Sequence, residues 1–131
     1  MKKQRLLKLV ALFVLCCMLF GCKKETIVYG TVFRSDGNPA GNVQVTLEYA
    51  YYRINSASGT DYAVINSAIT GADGQYEIVF QYNSDIANSH NSNGLKYEGY
   101  YLRLGSATTW GTNRTHIEIK AGGMNRIDLR Y

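Results

Sequence analysis

Apolar and polar residues alternate along several short stretches of this chain. Between Val43 and Tyr49 every second residue is apolar, and Tyr76, Ile78 and Phe80 repeat the pattern further along. A period of two residues places the apolar side chains on one face of a β-strand. Together with the Gly, Asn, Asp and Ser residues that separate the stretches, the pattern predicts seven strands. They are expected at residues 27–34, 43–54, 62–70, 75–82, 95–104, 115–120 and 126–131.

The same alternation predicts the orientation of single side chains. In the second strand, Val45 and Leu47 are expected to face the core, with Thr46 and Glu48 facing solvent. Glu77 alternates with apolar residues in the same way, so we expect it to be solvated as well. Seven short strands without a helical period predict an all-β protein with a single antiparallel β-sandwich of two sheets.

Turn-forming residues mark the connections between the strands. The pair Asp73-Gly74, in the segment 71–74, predicts a hairpin turn, because it tolerates the positive φ angles of tight turns. Residues 83–94 hold four Asn and three Ser and are expected to form an exposed, mobile loop. If each strand crosses the sandwich once, loops 35–42, 71–74 and 105–114 share one end, and loops 55–61, 83–94 and 121–125 share the other.

The start of the chain has a different composition, which indicates an export signal. Lys2, Lys3, Arg5 and Lys8 make it positively charged, and the 12 residues 9–20 are all apolar. This apolar run is shorter than the roughly 20 residues that a membrane-spanning helix needs. A charged segment, a short apolar segment and a small residue at its end are the parts of a cleavable secretion signal.

The segment Leu19-Phe20-Gly21-Cys22 resembles the lipobox that lipoprotein signal peptidase cleaves. The resemblance implies cleavage between Gly21 and Cys22 and attachment of lipid to Cys22. A plain secretory signal that ends near a cysteine is the alternative. The three cysteines are at positions 16, 17 and 22, so the mature protein keeps one thiol, at its first residue. A single cysteine there suits acylation and cannot form an internal disulfide.

These signals divide the chain into a signal peptide at residues 1–21, a lipidated anchor and linker at 22–26, and a β-sandwich domain at 27–131. We expect the mature protein to be extracytoplasmic and held on the outer membrane, at its periplasmic or its cell-surface face, by the lipid on Cys22. Cleavage removes four of the 14 basic residues and none of the 10 acidic ones, which leaves ten of each. A formally neutral domain lacks the basic face that nucleic-acid binding requires, so no nucleic-acid partner is expected.

Three segments of the predicted domain resemble the carboxypeptidase regulatory-like family. They are Val28-Tyr29-Gly30-Thr31-Val32, residues 36–47 and residues 70–78. The resemblance implies a prealbumin-like or immunoglobulin-like sandwich, although Asn42 stands where the family has a glycine before Val43. Because the matching residues belong to turns and core, the resemblance implies a fold and no particular activity.

Motifs for catalysis, cofactors and metals are missing from the sequence. The chain has no phosphate-binding loop, no dinucleotide fingerprint and no nucleophile elbow. Its two histidines, His90 and His116, lack the spacing of a zinc site and are expected at the surface. Asp36-Gly37-Asn38 is similar to the start of a calcium loop, but Ala40 and Leu47 occupy positions that need oxygen ligands. We therefore expect no cofactor, no metal and no enzymatic activity, with a small hydrolase as the rival class.

Aromatic residues are the unusual feature of the composition. All 11 tyrosines follow Cys22, and the single tryptophan, Trp110, is in a segment rich in Gly, Thr and Asn. The strand tyrosines are expected to pack. Trp110 and the nearby Asn113 are candidate ligand-binding residues, because exposed aromatic rings stack on sugars or anchor a protein partner. The sequence thus predicts a lipid-anchored, non-catalytic accessory or interaction module with a glycan or protein partner. A carbohydrate-binding surface lipoprotein is the alternative.

Overall fold

The computed structural model describes residues 2–19, 25–105 and 113–131. The described residues form two helices and nine strands: α1 Lys2–Leu19, β1 Glu25–Phe33, β2 Gln44–Arg53, β3 Asp61–Ile69, β4 Gln75–Gln81, α2 Ser84–Ala87, β5 Asn91–Ser92, β6 Leu95–Leu104, β7 Arg114–Ile117, β8 Met124–Arg126 and β9 Leu129–Arg130. None of the helices in these ranges is both long enough and apolar enough to span a membrane.

The strands form two sheets. In the four-stranded sheet β1 lies between β4 and β8, and β9 also pairs with β1. In the five-stranded sheet the order is β3-β2-β6-β5, and β7 pairs with β6. The predicted all-β sandwich is confirmed, although the described part of the chain holds nine strands where seven were expected.

The pairing of the last strands differs from the prediction. The segment expected as one strand at residues 126–131 contributes to both β8 and β9, and each of these pairs with β1 in parallel. Between them the chain passes directly over Gly30, where a Cβ atom would overlap the carbonyl oxygen of Ile127. The Tyr76 hydroxyl donates to the same oxygen at 2.6 Å, and burial raises the pKa of this phenol above its usual range. The lack of a side chain at Gly30 therefore lets the later segment lie across β1.

Strands β3 and β4 are joined by the predicted turn, but they do not form a hairpin. Gly74 has a φ of 74°, and its amide donates to the carbonyl of Gly71 at 2.9 Å, so the turn itself is confirmed. The hairpin is wrong, because β3 belongs to the five-stranded sheet and β4 to the four-stranded sheet. The buried hydroxyl of Thr70 donates to the carbonyl of Ala40 at 2.7 Å and holds this crossing against the loop between β1 and β2.

The hydrophobic core lies between the two sheets. Val45 and Leu47 are fully buried, as the alternation predicts, and Tyr76, Ile78 and Phe80 belong to the same cluster of buried side chains. Full burial of a side chain such as that of Leu47 contributes about 1.5–3 kcal/mol. A shift by one residue would turn these side chains to the outer face, so the core fixes the register of the strands.

The segment 83–94, predicted as an exposed and mobile loop, contains regular structure. The Asn83 side chain caps α2 by accepting a hydrogen bond from the amide of Asp85 at 2.9 Å. The helix buries Ile86, which is 5% exposed, in the core. The short strand β5 pairs with β6. The prediction of an exposed loop is therefore wrong for Ile86.

Hydrogen bonds between loops define the two ends of the sandwich. At one end the amide of Asn42 donates to the carbonyl of Thr70 at 3.0 Å, and that of Gly105 donates to Gln44 at 2.9 Å. At the other end the amide of Ile54 donates to the carbonyl of Gly94 at 2.9 Å. For these described residues the contacts agree with one crossing per strand.

Candidate functional site

The outer face of the five-stranded sheet carries a connected group of charged and aromatic side chains, which we call the Tyr–Arg face. Its members are Tyr62 from β3, Glu48 from β2, Tyr101 and Arg103 from β6, and Arg114 and His116 from β7. Cross-strand pairing places Glu48 opposite Tyr101 and Tyr101 opposite His116. Because neighbours such as Leu47 and Leu102 point into the core, these side chains point away from it.

Glu48 lies at the centre of the Tyr–Arg face. Its carboxylate accepts hydrogen bonds from Arg103 Nε at 2.7 Å and from Arg114 Nε at 2.8 Å. The Glu48 side chain is 3% exposed, that of Arg103 10% and that of Arg114 20%. The prediction that Glu48 is solvated is wrong, because β2 lies between two other strands and the arginine side chains cover its outer side.

The two arginines compensate the burial of this carboxylate. Charge-assisted hydrogen bonds of this kind are short and strong, and loss of one partner from a buried pair typically costs about 3–5 kcal/mol. Arg103 Nη1 also donates to the carbonyl of Gly105 at 3.2 Å, which fixes the triad of Glu48, Arg103 and Arg114 to one end of the sandwich. The guanidinium groups of Arg103 and Arg114 are therefore held in place by the protein itself.

Aromatic rings adjoin the triad. The Arg114 guanidinium lies over the Tyr62 ring, with its Cζ 3.9 Å from the ring centroid. The rings of Tyr62 and Tyr101 meet edge to face with centroids 5.6 Å apart, and those of Tyr101 and His116 are 5.2 Å apart. Burial, with Tyr62 as a further cause, raises the pKa of the Tyr101 hydroxyl. Tyr62 remains 39% exposed and offers part of its ring to a ligand.

A glycine of β6 makes room for His116 beside this group. Gly99 has a φ of 95°, and a Cβ atom there would lie 2.7 Å from His116 Nε2. His116 is exposed, as predicted, and borders a cleft of 340 Å³ that Glu118 also lines. The imidazole thus marks the edge of the Tyr–Arg face next to an open cleft.

A second cleft, of 420 Å³, lies against the four-stranded sheet. Glu77, Tyr29 and Arg126 form a cross-strand row along it. Glu77 is exposed, as predicted. Arg126 lies 3.5 Å from Asp128, and these two side chains are 64% and 41% exposed. Ion pairs in such contact with water are weak, so this cleft lacks the fixed geometry of the Tyr–Arg face.

Of the two predicted binding residues, Asn113 is among the described residues. Asn113 is exposed and directly precedes Arg114, and its carbonyl accepts a hydrogen bond from the last residue of β6 at 3.2 Å. It therefore borders the Tyr–Arg face without belonging to the triad. Trp110, the other candidate, and the predicted cleavage and lipid residues Gly21 and Cys22 lie outside the described residues.

Sequence analysis did not identify the triad or Tyr62 as candidates. Arg103 stands between Leu102 and Leu104, a pattern that indicates an arginine on the outer face of a strand. That signal does not reveal Glu48 as its partner, because the two residues are 55 positions apart in the chain.

Comparison with known proteins finds similarity in fold. No protein-family model and no curated protein matches the chain. The chain is similar to the dioxygenase domain of a dioxygenase carbohydrate-binding protein fusion from Streptomyces sp. SirexAA-E, with 13% identity and a TM-score of 0.51 over 85% of this chain and 82% of that one. At this identity the similarity shows the fold alone.

Two catechol 1,2-dioxygenases are more distant in structure. Those of Acinetobacter sp. ADP1 and Pseudomonas arvilla C-1 are 15% and 12% identical, with TM-scores of 0.47 and 0.45. Each alignment covers 83% of this chain and 52% of the other, so the chain spans about half the length of these enzymes.

The expectation of no enzymatic activity is overturned by the first similarity. That expectation rested on missing motifs, and a sandwich of similar fold is a dioxygenase domain in the Streptomyces protein, so the missing motifs do not exclude an enzyme. One class of non-haem Fe(II) oxygenases holds its metal with two histidines and a carboxylate. Within residues 2–19, 25–105 and 113–131 no three His, Cys, Asp or Glu side chains come together to hold a metal. The two histidines have different neighbours: His90 lies 3.6 Å from Asp85, whereas His116 packs on Tyr101. The described residues do not fit such a centre, and we derive no oxygenation step from them.

Proposed function

We propose that this protein is an extracytoplasmic lipoprotein, anchored in the outer membrane by lipid on Cys22, whose β-sandwich binds a glycan through the Tyr–Arg face. The observation that carries the proposal is the arrangement of three side chains. Glu48 receives a hydrogen bond from Arg114 Nε, and the Arg114 guanidinium lies over the partly exposed ring of Tyr62. The protein would act as an interaction module of the cell envelope.

The segment Leu19-Phe20-Gly21-Cys22 supports the lipid anchor. Strand β1 begins at Glu25, three residues after Cys22. Three residues span at most about 11 Å when extended, so a lipid on Cys22 would keep the start of β1 close to the bilayer. Arg103 is bonded to Gly105 at the opposite end of the sandwich and would then face away from the membrane.

A glycan suits the mixture of groups on this face. Sugar rings present C–H groups that pack on an exposed aromatic ring such as that of Tyr62. Sugars also present hydroxyl groups, which pair with the N–H donors of a planar guanidinium such as that of Arg114. Because Glu48 holds the guanidinium in place, little entropy remains to be lost on binding.

Glycan binding by the purified, lipidated protein in detergent tests this proposal. We expect the protein to bind polysaccharides on a glycan array and in titration calorimetry. Replacing Tyr62 with alanine is expected to weaken binding about tenfold, since an aromatic contact contributes about 0.5–1.5 kcal/mol beyond the area that it buries. Tyr62 is partly exposed on β3, an edge strand of the five-stranded sheet, so the variant should fold.

Tyr29→Ala is the matched control. It removes a tyrosine from the outer face of the other sheet and is expected to leave the affinity unchanged. Melting temperatures of both variants establish that they are folded. If the wild-type protein binds no glycan, or if Tyr29→Ala weakens binding as much as Tyr62→Ala, the proposal is wrong. Capture of a defined protein by the wild type, without glycan binding, would replace it with a protein partner.

A further inference from the structure

The net charge of the triad at the centre of the Tyr–Arg face indicates the kind of glycan. We infer that its ligand is an acidic glycan, one whose sugars carry carboxylate groups, and this inference rests on the proposed function. The triad of Glu48, Arg103 and Arg114 carries two positive charges and one negative charge, a net charge of +1. A ligand carboxylate would balance this excess, whereas a neutral sugar would leave it unmatched.

Arg114 is oriented to receive such a carboxylate. Its Nε donates to Glu48, and its two terminal nitrogens carry the other four N–H groups of the guanidinium. The side chain is 20% exposed and lies over Tyr62, which is 39% exposed. A planar guanidinium binds a carboxylate with two parallel hydrogen bonds, which a lysine cannot do. Because Arg114 covers one face of the Tyr62 ring, a uronate would pack on the part of the ring that stays exposed, and its carboxylate would reach past the edge of the ring to Arg114.

A further acidic residue near this face lies away from the triad. Glu98 lies on β6 beyond Gly99, and besides burial its charge helps to raise the pKa of the Tyr101 hydroxyl. Its Oε2 accepts a hydrogen bond from the Thr60 hydroxyl at 2.8 Å. The negative charge of Glu98 therefore lies on the Tyr101 side of the face, and a ligand carboxylate is expected on the side of Arg103 and Arg114.

Thr46 gives independent support for a polar ligand beside the triad. It is opposite Arg103 in the pairing of β2 with β6 and is 1% exposed. Its Oγ1 has no hydrogen-bond partner among the described residues. A buried donor of this kind is unfavourable unless it is satisfied. Because the group itself has almost no exposed surface, a water that bridges to a ligand oxygen would satisfy it.

Polymers of the same sugars with and without the negative charge test the inference. Polygalacturonate and alginate are each compared with their methyl esters, which keep the sugar ring and remove the negative charge. The full-length lipidated protein is expected to bind the acids roughly tenfold more tightly or better, because charge-assisted hydrogen bonds are about twice as strong as neutral ones. Added sodium chloride is expected to weaken the binding of the acids and not that of the esters.

Two variants test whether the preference for acidic polymers arises at Arg114. Arg114→Gln is expected to bring the acid-to-ester affinity ratio close to one, while Arg126→Gln, which removes an arginine from the other sheet, keeps the wild-type ratio. If the wild type binds acid and ester equally, or binds the acids independently of salt, this inference is wrong and the proposed function stands. If no glycan of either kind binds, the proposed function fails as well. Should Arg114→Gln prove unfolded by its melting curve, the wild-type ratio and its salt dependence decide.

Discussion

At the scale of the residue, Thr46 and Glu48 are buried on the outer side of a sheet. Both alternate with core residues such as Leu47, so their strand positions indicate the outer face, and that part of the prediction is confirmed. Their expected exposure is wrong, because the long side chains of Arg103 and Arg114 extend over the neighbouring strand. Alternation along one strand predicts which face a side chain takes. Whether that side chain is exposed depends on the side chains that neighbouring strands place over it.

Replacing Thr46 with valine is expected to raise the free energy of unfolding by about 1 kcal/mol, because a buried hydroxyl without a partner costs about 1–3 kcal/mol. Valine keeps nearly the same volume and removes only the unsatisfied group. Urea unfolding measures the change. Thr115→Val, at an exposed position of β7, is the control and should stay within about 0.5 kcal/mol of the wild type. A loss of stability in Thr46→Val would mean that the hydroxyl group has a hydrogen-bond partner in the folded protein.

At the scale of the element, helix α2 shows that composition alone does not predict a short helix with a buried residue. Asn and Ser are frequent in residues 83–94 because they form caps and turns, and Asn83 does cap the helix. A helix of four residues is too short to show an apolar period. Its one buried residue, Ile86, therefore could not be distinguished in the sequence from a loop residue.

Ile86→Ala is expected to lower the free energy of unfolding by about 2–4 kcal/mol, since removal of a buried aliphatic side chain leaves a cavity. Ile54→Ala is the control, because Ile54 is 40% exposed in a loop at the same end of the sandwich. It should cost less than about 1 kcal/mol. Urea midpoints of the two variants decide. Equal, small shifts would show that α2 does not contribute to the stability of the core.

The segment between β3 and β4 shows that local sequence predicts a turn but not the sheet to which each strand belongs. Asp73-Gly74 predicts the turn correctly from local chemistry. The sheet to which each strand belongs depends on contacts such as that of Thr70 with Ala40, 30 positions away. Local sequence carries no signal for a contact at that distance.

At the scale of the whole molecule, the number of short strands was sufficient to predict an all-β sandwich, and one crossing per strand predicted the grouping of the loops. The parallel pairing of β1 with β8 and β9 was not predicted, because it joins residues near opposite ends of the domain. The resemblance to carboxypeptidase regulatory-like domains stays a prediction. The triad at the centre of the candidate site required knowledge of three strand pairings at once.

Cys22→Ser is expected to abolish lipid attachment and to leave the full-length precursor uncleaved before residue 22, because the thiol is the group that is acylated. Metabolic labelling with a clickable fatty acid, followed by intact-mass measurement, reads out both effects. Cys17→Ser changes a neighbouring cysteine of the apolar segment and should be labelled like the wild type. Undiminished labelling of Cys22→Ser would contradict the lipid anchor.

The pairing of β1 with β8 and β9 also determines when, during synthesis, the four-stranded sheet can be completed. The amide of Thr31 bonds to the side chain of Asp128, which follows it by 97 positions. Contacts over such a separation require the closure of a long loop and form slowly. During synthesis β1 is made first and its parallel partners last, so the four-stranded sheet stays incomplete until almost all of the domain exists. A chain with the proposed export signal would therefore still be open, and able to pass through a translocation channel, wherever the signal engages the membrane before the last strands are made.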